Sequence, residues 1–118
     1  MENQEIVNSL LAHKDMKIIQ RKDMFNFSID TVLIANFCSL RKETKYIIDF
    51  GTNNAAIPLL LSNRTNSIIE GIEIQEEAVD IAKRNIALNN LDVQISIIHG
   101  DIKSYNFEKK YQLVVCNP

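Results

Sequence analysis

Short apolar runs that end at or enclose a glycine recur along this chain, and the segments between them change to an apolar period of three and four. Tyr46-Ile47-Ile48-Asp49-Phe50 closes on Gly51, and Val93 to His99 closes on Gly100. Ser67 to Ile74 carries Gly71 inside it, and Tyr111 to Cys116 forms a fourth run. The chain has 3 glycines in 118 residues, so each marks a particular backbone demand rather than a loose linker. Runs of this length and β-branched content read as buried strands. Between them, Gln75 to Asn90 sets Ala78, Val79, Ala82 and Ile86 on one stripe with Lys83 and Arg84 outward. Ala55 to Asn63 places Ile57, Leu59, Leu60 and Leu61 behind the capping candidates Asn53 and Asn54, with Pro58 tolerated only near a first turn. Ser28 to Leu40, opened by Ser28, is a third and strongly apolar helix. Residues 1–27 offer one short helix, Ile6 to Lys14.

Strand, helix, strand, helix, strand, strand predicts an α/β fold: the N-terminal half of a Rossmann-like doubly wound parallel sheet, with about four strands and a ligand crevice at their carboxyl ends. Residues 28–118 form that domain, and residues 1–27 a separate N-terminal segment. Polar residues gather at the expected rim: Asp49 before the first loop, Glu73 ending the second strand, Asp101 after the third, and Asn117-Pro118 after the fourth.

Charge narrows the function classes. Thirteen basic against fifteen acidic residues leave -2, which argues against a protein that coats nucleic acid electrostatically. Only Lys14, Lys17, Arg21 and Lys22, with Asp15 as the one acid among them, make a local +3 suited to RNA phosphates. No apolar run nears the roughly 20 residues of a membrane span, and the first residues lack a signal peptide's pattern, so a cytoplasmic protein is expected. Cys38 and Cys116 stand too far apart for a zinc framework, and no metal is expected. His13 and His99 read as ordinary residues.

Glu73 follows Gly51 by 22 residues, the distance at which a carboxylate accepts both hydroxyls of a nucleoside ribose and repels a ribose phosphate. The loop Asp49-Phe50-Gly51-Thr52-Asn53-Asn54-Ala55-Ala56 lacks the G-x-G-x-x-G dinucleotide fingerprint. It resembles instead the D-x-G-x-G-x-G motif of class I S-adenosylmethionine (SAM) methyltransferases. Asp49 and Gly51 match, while Asn53 and Ala55 stand in place of the second and third glycines. Asparagine tolerates positive φ well, whereas Ala55 adds a methyl where close approach is expected.

Asn117-Pro118 resembles the start of the N-P-P-Y/F motif of methyltransferases acting on exocyclic or amide nitrogens. Upstream, Phe25-Asn26-Phe27-Ser28-Ile29-Asp30 and the residues to Phe37 are similar to the F-x-F-S-x-D block of bacterial tRNA adenine-N6 methyltransferases that act beside the anticodon of a valine tRNA. The similarity runs from about Ile19 to Pro118. It implies SAM as cofactor, with Glu73 on the ribose, Asp101 on the adenine amino group, Asp49 and the Gly51–Asn53 loop on the methionine part, and Phe27 on the flank. Ile74, Ile102 and Asn117 complete the implied cofactor set, and Asn117-Pro118 is the implied catalytic pair. The implied activity is methyl transfer to adenine N6 of tRNA. Protein glutamine or rRNA guanine as acceptor, a nucleoside-binding module without catalysis, and a nucleotide-dependent oxidoreductase stand as alternatives. The full class I fold has seven strands with the fourth central, so the chain is expected to be a fragment or a degenerate relative. Alone it is expected to be inactive, with an exposed fourth strand suited to self-association.

Overall fold

The computed structural model describes residues 5–10, 13–21 and 29–117. Strand β1 (Glu5–Leu10) pairs antiparallel with β2 (His13–Arg21). Helix α1 (Ile29–Phe37) leads into β3 (Tyr46–Phe50), α2 (Ala56–Leu61), β4 (Ile68–Glu73), α3 (Glu76–Leu88), β5 (Ile95–His99) and β6 (Leu113–Cys116). The last four strands form one parallel sheet in the order β5-β4-β3-β6. The chain therefore starts in the middle of the sheet and winds outward first to one side and then to the other. The switch falls between β3 and β6, and it places the loop after β3 at the point where such sheets hold ligands.

The strand pleat divides the sheet into two faces. Ile47, Ile69, Ile95 and Val115 are register partners or near neighbours on one face, and they join Val32, Ala35, Leu60, Ala82 and Ile86 of the helices in the main core. On the opposite face Ile48 and Ile72 are buried, and Glu70 sits among them at 7% exposure. A carboxylate at that depth needs partners. Lys109 forms an ion pair with it and the Tyr111 hydroxyl donates to it. Burial and the Glu70 carboxylate both push the Tyr111 phenol up. Phe107 packs edge-on to Tyr105 and Tyr111 and lies 5.9 Å from the Phe50 ring, so the 101–112 segment covers this face without a helix.

The four strands and three helices lie where the apolar patterns place them. Val93 is the main trim: it is 92% exposed and lies before β5. The expected helix Ile6 to Lys14 is wrong, because Ile6 to Leu10 lie in β1 and His13 and Lys14 in β2. Met16 and Ile18 of β2 enter the core while Lys17 faces out, a strand's two-residue period that the spacing of Ile6, Leu10 and Leu11 obscures. Strand β6 pairs with β3, and among the described residues nothing pairs with its other edge.

Candidate functional site

The loop after β3 has an alternating backbone. Gly51, Asn53 and Ala55 have φ of 68°, 54° and 71°, and the residues between them do not share that region. Left-handed backbone costs a non-glycine residue roughly 1–2 kcal/mol, so the surroundings must impose it. Three groups do so. The Ile72 carbonyl accepts the N–H groups of both Gly51 (2.9 Å) and Thr52 (3.0 Å). Glu73 Oε1 accepts the Asn53 N–H at 2.8 Å. The Asn54 carbonyl accepts from the Asn85 side chain at 2.9 Å. The expectation that Asn53 keeps the glycine-like turn holds.

Ala55 is fully buried and belongs to the main core. Ala55→Gly relieves roughly 1–2 kcal/mol of left-handed strain and loses roughly 0.8 kcal/mol of methyl burial. Chemical denaturation should show a stability change under about 1 kcal/mol, with ligand affinity at the rim unchanged.

Glu73 ends β4 at 9% exposure, where its two oxygens accept different backbone donors: Asn53 N–H on Oε1 and Gln75 N–H at 3.1 Å on Oε2. Each carboxylate oxygen has about two acceptor sites, so one on each remains for a ligand. Glu73 is thus a fixed group and not a solvated neighbour of the exposed Glu76 and Glu77.

Asp49 lies beneath the loop at 1% exposure, opposite Gly71 of β4. Its Oδ1 and the Thr52 hydroxyl are buried with no hydrogen-bond partner among the described residues. Burial pushes the Asp49 carboxyl up to about 7; the Thr52 hydroxyl lies close enough to oppose the rise without meeting hydrogen-bond geometry, and the Glu73 charge adds to it. A buried carboxylate oxygen and a buried hydroxyl, both left without a hydrogen-bond partner among the described residues, make a place for a cationic or donor-bearing group.

Ile74 and Ile102 stand just beyond the ends of neighbouring strands and are 59% and 40% exposed, two apolar side chains on the rim. Asp101 is partly exposed, its Oδ1 accepts the Lys103 N–H at 2.9 Å, and its carbonyl turns the chain at Ser104 and Tyr105. His99 Nε2 lies 3.0 Å from the Ile74 carbonyl. Asn117 Nδ2 donates to Thr31 Oγ1 of α1 at 3.2 Å, tying the end of β6 to the first helix. Asp49, Gly51, Asn53, Glu73, Ile74, Asp101, Ile102 and Asn117 all lie at or just past the carboxyl ends of the four parallel strands. Phe27 and Pro118 lie outside the described residues.

The basic stretch is described at two of its four residues. Lys17 is exposed, but Arg21 is buried in a hollow with Glu5, Glu76, Glu77 and Asp80, and the side chains of Lys14 and Lys22 lie outside the described residues. Arg41, Lys42, Lys45 and Arg64 line a cavity of about 630 Å³ at the opposite ends of β3 and β4. They come from two loops apart in sequence, which leaves no local run to find. Among the described residues, no helix is long and apolar enough to cross a membrane and no group of three or more His, Cys, Asp or Glu is placed to hold a metal.

The family model described as the methyltransferase small domain matches residues 16–118. The chain belongs to the methyltransferase small domain family. A small-domain relative in Pedobacter heparinus, a tRNA1(Val) (adenine(37)-N6)-methyltransferase, is 30% identical over 106 residues, covering 89% of this chain and 45% of its own. The chain spans about half the length of the curated relatives it matches. Among solved structures, P. horikoshii TYW2 in complex with MeSAdo superposes with a TM-score of 0.77 at 15% identity, over 96% of this chain and 42% of that one. A putative S-adenosyl-L-methionine-dependent methyltransferase of Methanococcus maripaludis gives 0.63 at 27% identity, over 75% and 40%. The small-domain chain thus has the class I methyltransferase fold, as its strand order indicates.

Proposed function

We propose that this chain is the cofactor-binding part of a SAM-dependent methyltransferase whose acceptor is the N6 amine of adenine in tRNA. The observation that carries the cofactor reading is Glu73: a buried carboxylate with both oxygens locked by loop amides and one acceptor site left on each, set for a vicinal diol. The orphaned Asp49 Oδ1 fits the same ligand, whose amino group would supply a donor. Ile74 and Ile102 offer apolar cover for a flat base, and Asp101 an acceptor for its amino group. SAM, when bound, supplies a methyl group carried on a positively charged sulfur. The chain's residues would bind and orient it: Glu73 would hold the sugar and the 51–55 loop the methionine part, with Asn117 at the rim.

Asn117 supports the acceptor reading. Its Nδ2 donates to Thr31, which orients the amide and keeps Oδ1 as an acceptor. An aryl amine is a poor nucleophile because its lone pair is delocalised into the ring; an acceptor on its hydrogens favours the nucleophilic form as charge develops. The tRNA methyltransferases among its relatives add weight to this acceptor over protein glutamine or rRNA guanine.

Two measurements test the reading. Glu73→Ala should weaken S-adenosylhomocysteine (SAH) binding by about tenfold or more in calorimetry, since a hydrogen bond to a charged group contributes roughly 1.5–3 kcal/mol. Glu73→Gln, which keeps the shape, should lie between; unchanged affinity in both would remove Glu73 from the site. For the acceptor, nucleoside mass spectrometry of tRNA from a strain lacking the gene should show loss of N6-methyladenosine. An unchanged tRNA spectrum would overturn the tRNA reading. The 118 residues alone are expected to hold SAH without methylating tRNA, and methyl incorporation by them would overturn that expectation.

A further inference from the structure

Helix α3 and the residue that caps its C-terminus turn two asparagines, Asn85 and Asn89, toward the edge of β2 that β1 leaves open. Asn85 Oδ1 accepts the Ile19 N–H at 2.5 Å, and its Nδ2 donates to the Ile19 carbonyl at 3.2 Å. One turn later, Asn89 Oδ1 accepts the Lys17 N–H at 3.0 Å and its Nδ2 donates to the Lys17 carbonyl at 2.7 Å. The match is metric. Four residues of helix rise about 6.0 Å and two residues of strand about 6.7 Å, so amides at i and i+4 on a helix meet alternate peptide groups of a strand. The helix stands in for the missing third strand of the hairpin.

The two asparagines differ in their second N–H. That of Asn89 returns to its own helix, on the Asn85 carbonyl at 2.8 Å. That of Asn85 reaches the Asn54 carbonyl at 2.9 Å, inside the 51–55 loop. Asn85 is fully buried, and both of its N–H donors are engaged. Asn54 lies between Asn53 and Ala55, two of the three non-glycine residues held at positive φ among the described residues. That strain persists only where neighbours fix the peptide groups on either side. Ile72 fixes the start of the loop and Glu73 its middle, while Asn85 fixes the peptide that leads into α2.

We infer that Asn85 is a positioning residue for the cofactor loop, joining the N-terminal hairpin to the 51–55 backbone through one buried amide. The inference rests on the reading of that loop as a SAM site. Asn85 touches no ligand at the rim. It acts by holding the Asn54 peptide, and through it the Asn53 N–H that Glu73 accepts. A ligand gripped by Glu73 therefore senses whether the hairpin is docked.

The test uses the 118-residue chain with SAH as probe and compares Asn85→Ala with Asn89→Ala. Both remove hairpin bonds, but Asn85→Ala alone also removes the loop bond. Three readouts are taken: melting temperature, SAH affinity, and amide hydrogen exchange of residues 51–55 in the ligand-free chain. Both variants should melt lower. Asn85→Ala should weaken SAH about tenfold and speed exchange at Asn53 and Ala55, whereas Asn89→Ala should leave affinity within about twofold and loop exchange unchanged. Should Asn85→Ala not fold, Asn85→Ser, which retains one donor and one acceptor, is measured in its place with the same expectation at smaller amplitude. Equal losses of affinity in the two asparagine variants, or unchanged loop exchange in the Asn85 variant, would reduce Asn85 to a structural bond and overturn the inference. A parent chain that does not bind SAH would overturn the cofactor reading instead, and loop exchange in the ligand-free chain would still decide the role of Asn85.

Discussion

Asp49→Asn is expected to melt several degrees higher than the parent chain at pH 8 and to bind SAH at least about tenfold more weakly. The carboxyl is raised by burial from an ordinary 3.8 to about 7. Between those values the unfolded chain releases the proton that the folded chain keeps, so folding stability falls as pH rises through this window and is lowest above about 7. At 1.36 kcal/mol per pKa unit the full penalty is about 4 kcal/mol. An amide of the same shape carries no such penalty, so the two chains should melt alike near pH 4 and diverge by pH 8. The affinity loss has the opposite origin. The ionised oxygen that destabilises the empty chain is the one that a ligand's amino group would satisfy, and the amide takes that charge away. Parallel melting curves across pH would show that Asp49 is not the titrating group, and unchanged SAH affinity would place the ligand's cation elsewhere.

Gly71→Ala should be the most damaging of the glycine substitutions, at about 2–3 kcal/mol of stability with a marked loss of SAH affinity. A Cβ at Gly71 would lie 2.7 Å from Cβ, Cγ2 and Oγ1 of Thr52. The clash includes the Thr52 Cβ, which no rotamer change moves, so the loop backbone itself must lift from β4. The other two glycines serve as controls. A Cβ on Gly100 meets the Tyr105 ring edge at 3.2 Å, and the ring can shift; on Gly51 it meets nothing within 4 Å, leaving only the strain of a positive φ, roughly 1–2 kcal/mol. Thr52→Gly combined with Gly71→Ala should recover much of the lost stability. Damage at Gly71 no greater than at Gly100 would refute close packing of the loop on the strand.

The readable parts were those whose signal is local. Strands β3 and β4 announce themselves because a strand buried on both faces is a continuous apolar run, β5 and β6 as short β-branched runs although only Ile95 and Val115 in them are buried, and α3 because its stripe recurs over three turns. Glu73 was found by its spacing from Gly51, a consequence of one strand–loop–helix unit having a fixed length. The hairpin was missed because β2 owes its order to amides 66 and 72 residues away, which no window around Ile18 contains. Asn85 was missed for the converse reason. It lies seven residues after Ala78 and three after Ala82, on the apolar stripe itself, and a polar residue on such a stripe is the available signal for a buried network. Glu70 gives the same lesson. It reads as one acid among several, yet it is buried, and its partners Lys109 and Tyr111 come from a segment whose sequence gives no hint of where it will lie.

The asparagine ladder on β2 also orders events during synthesis. Its two acceptor bonds join residues 66 and 72 positions apart, so the hairpin is made first and the helix that completes it emerges later. At roughly 5–20 residues per second, the open edge of β2 waits about 3–14 s for its partner. Throughout that interval the N–H and carbonyl groups of Lys17 and Ile19 lack the asparagine amides that satisfy them in the finished fold. The nascent chain is therefore most exposed to mispairing and to chaperones at its beginning, and an Asn85 substitution would prolong that exposure as well as lower the final stability.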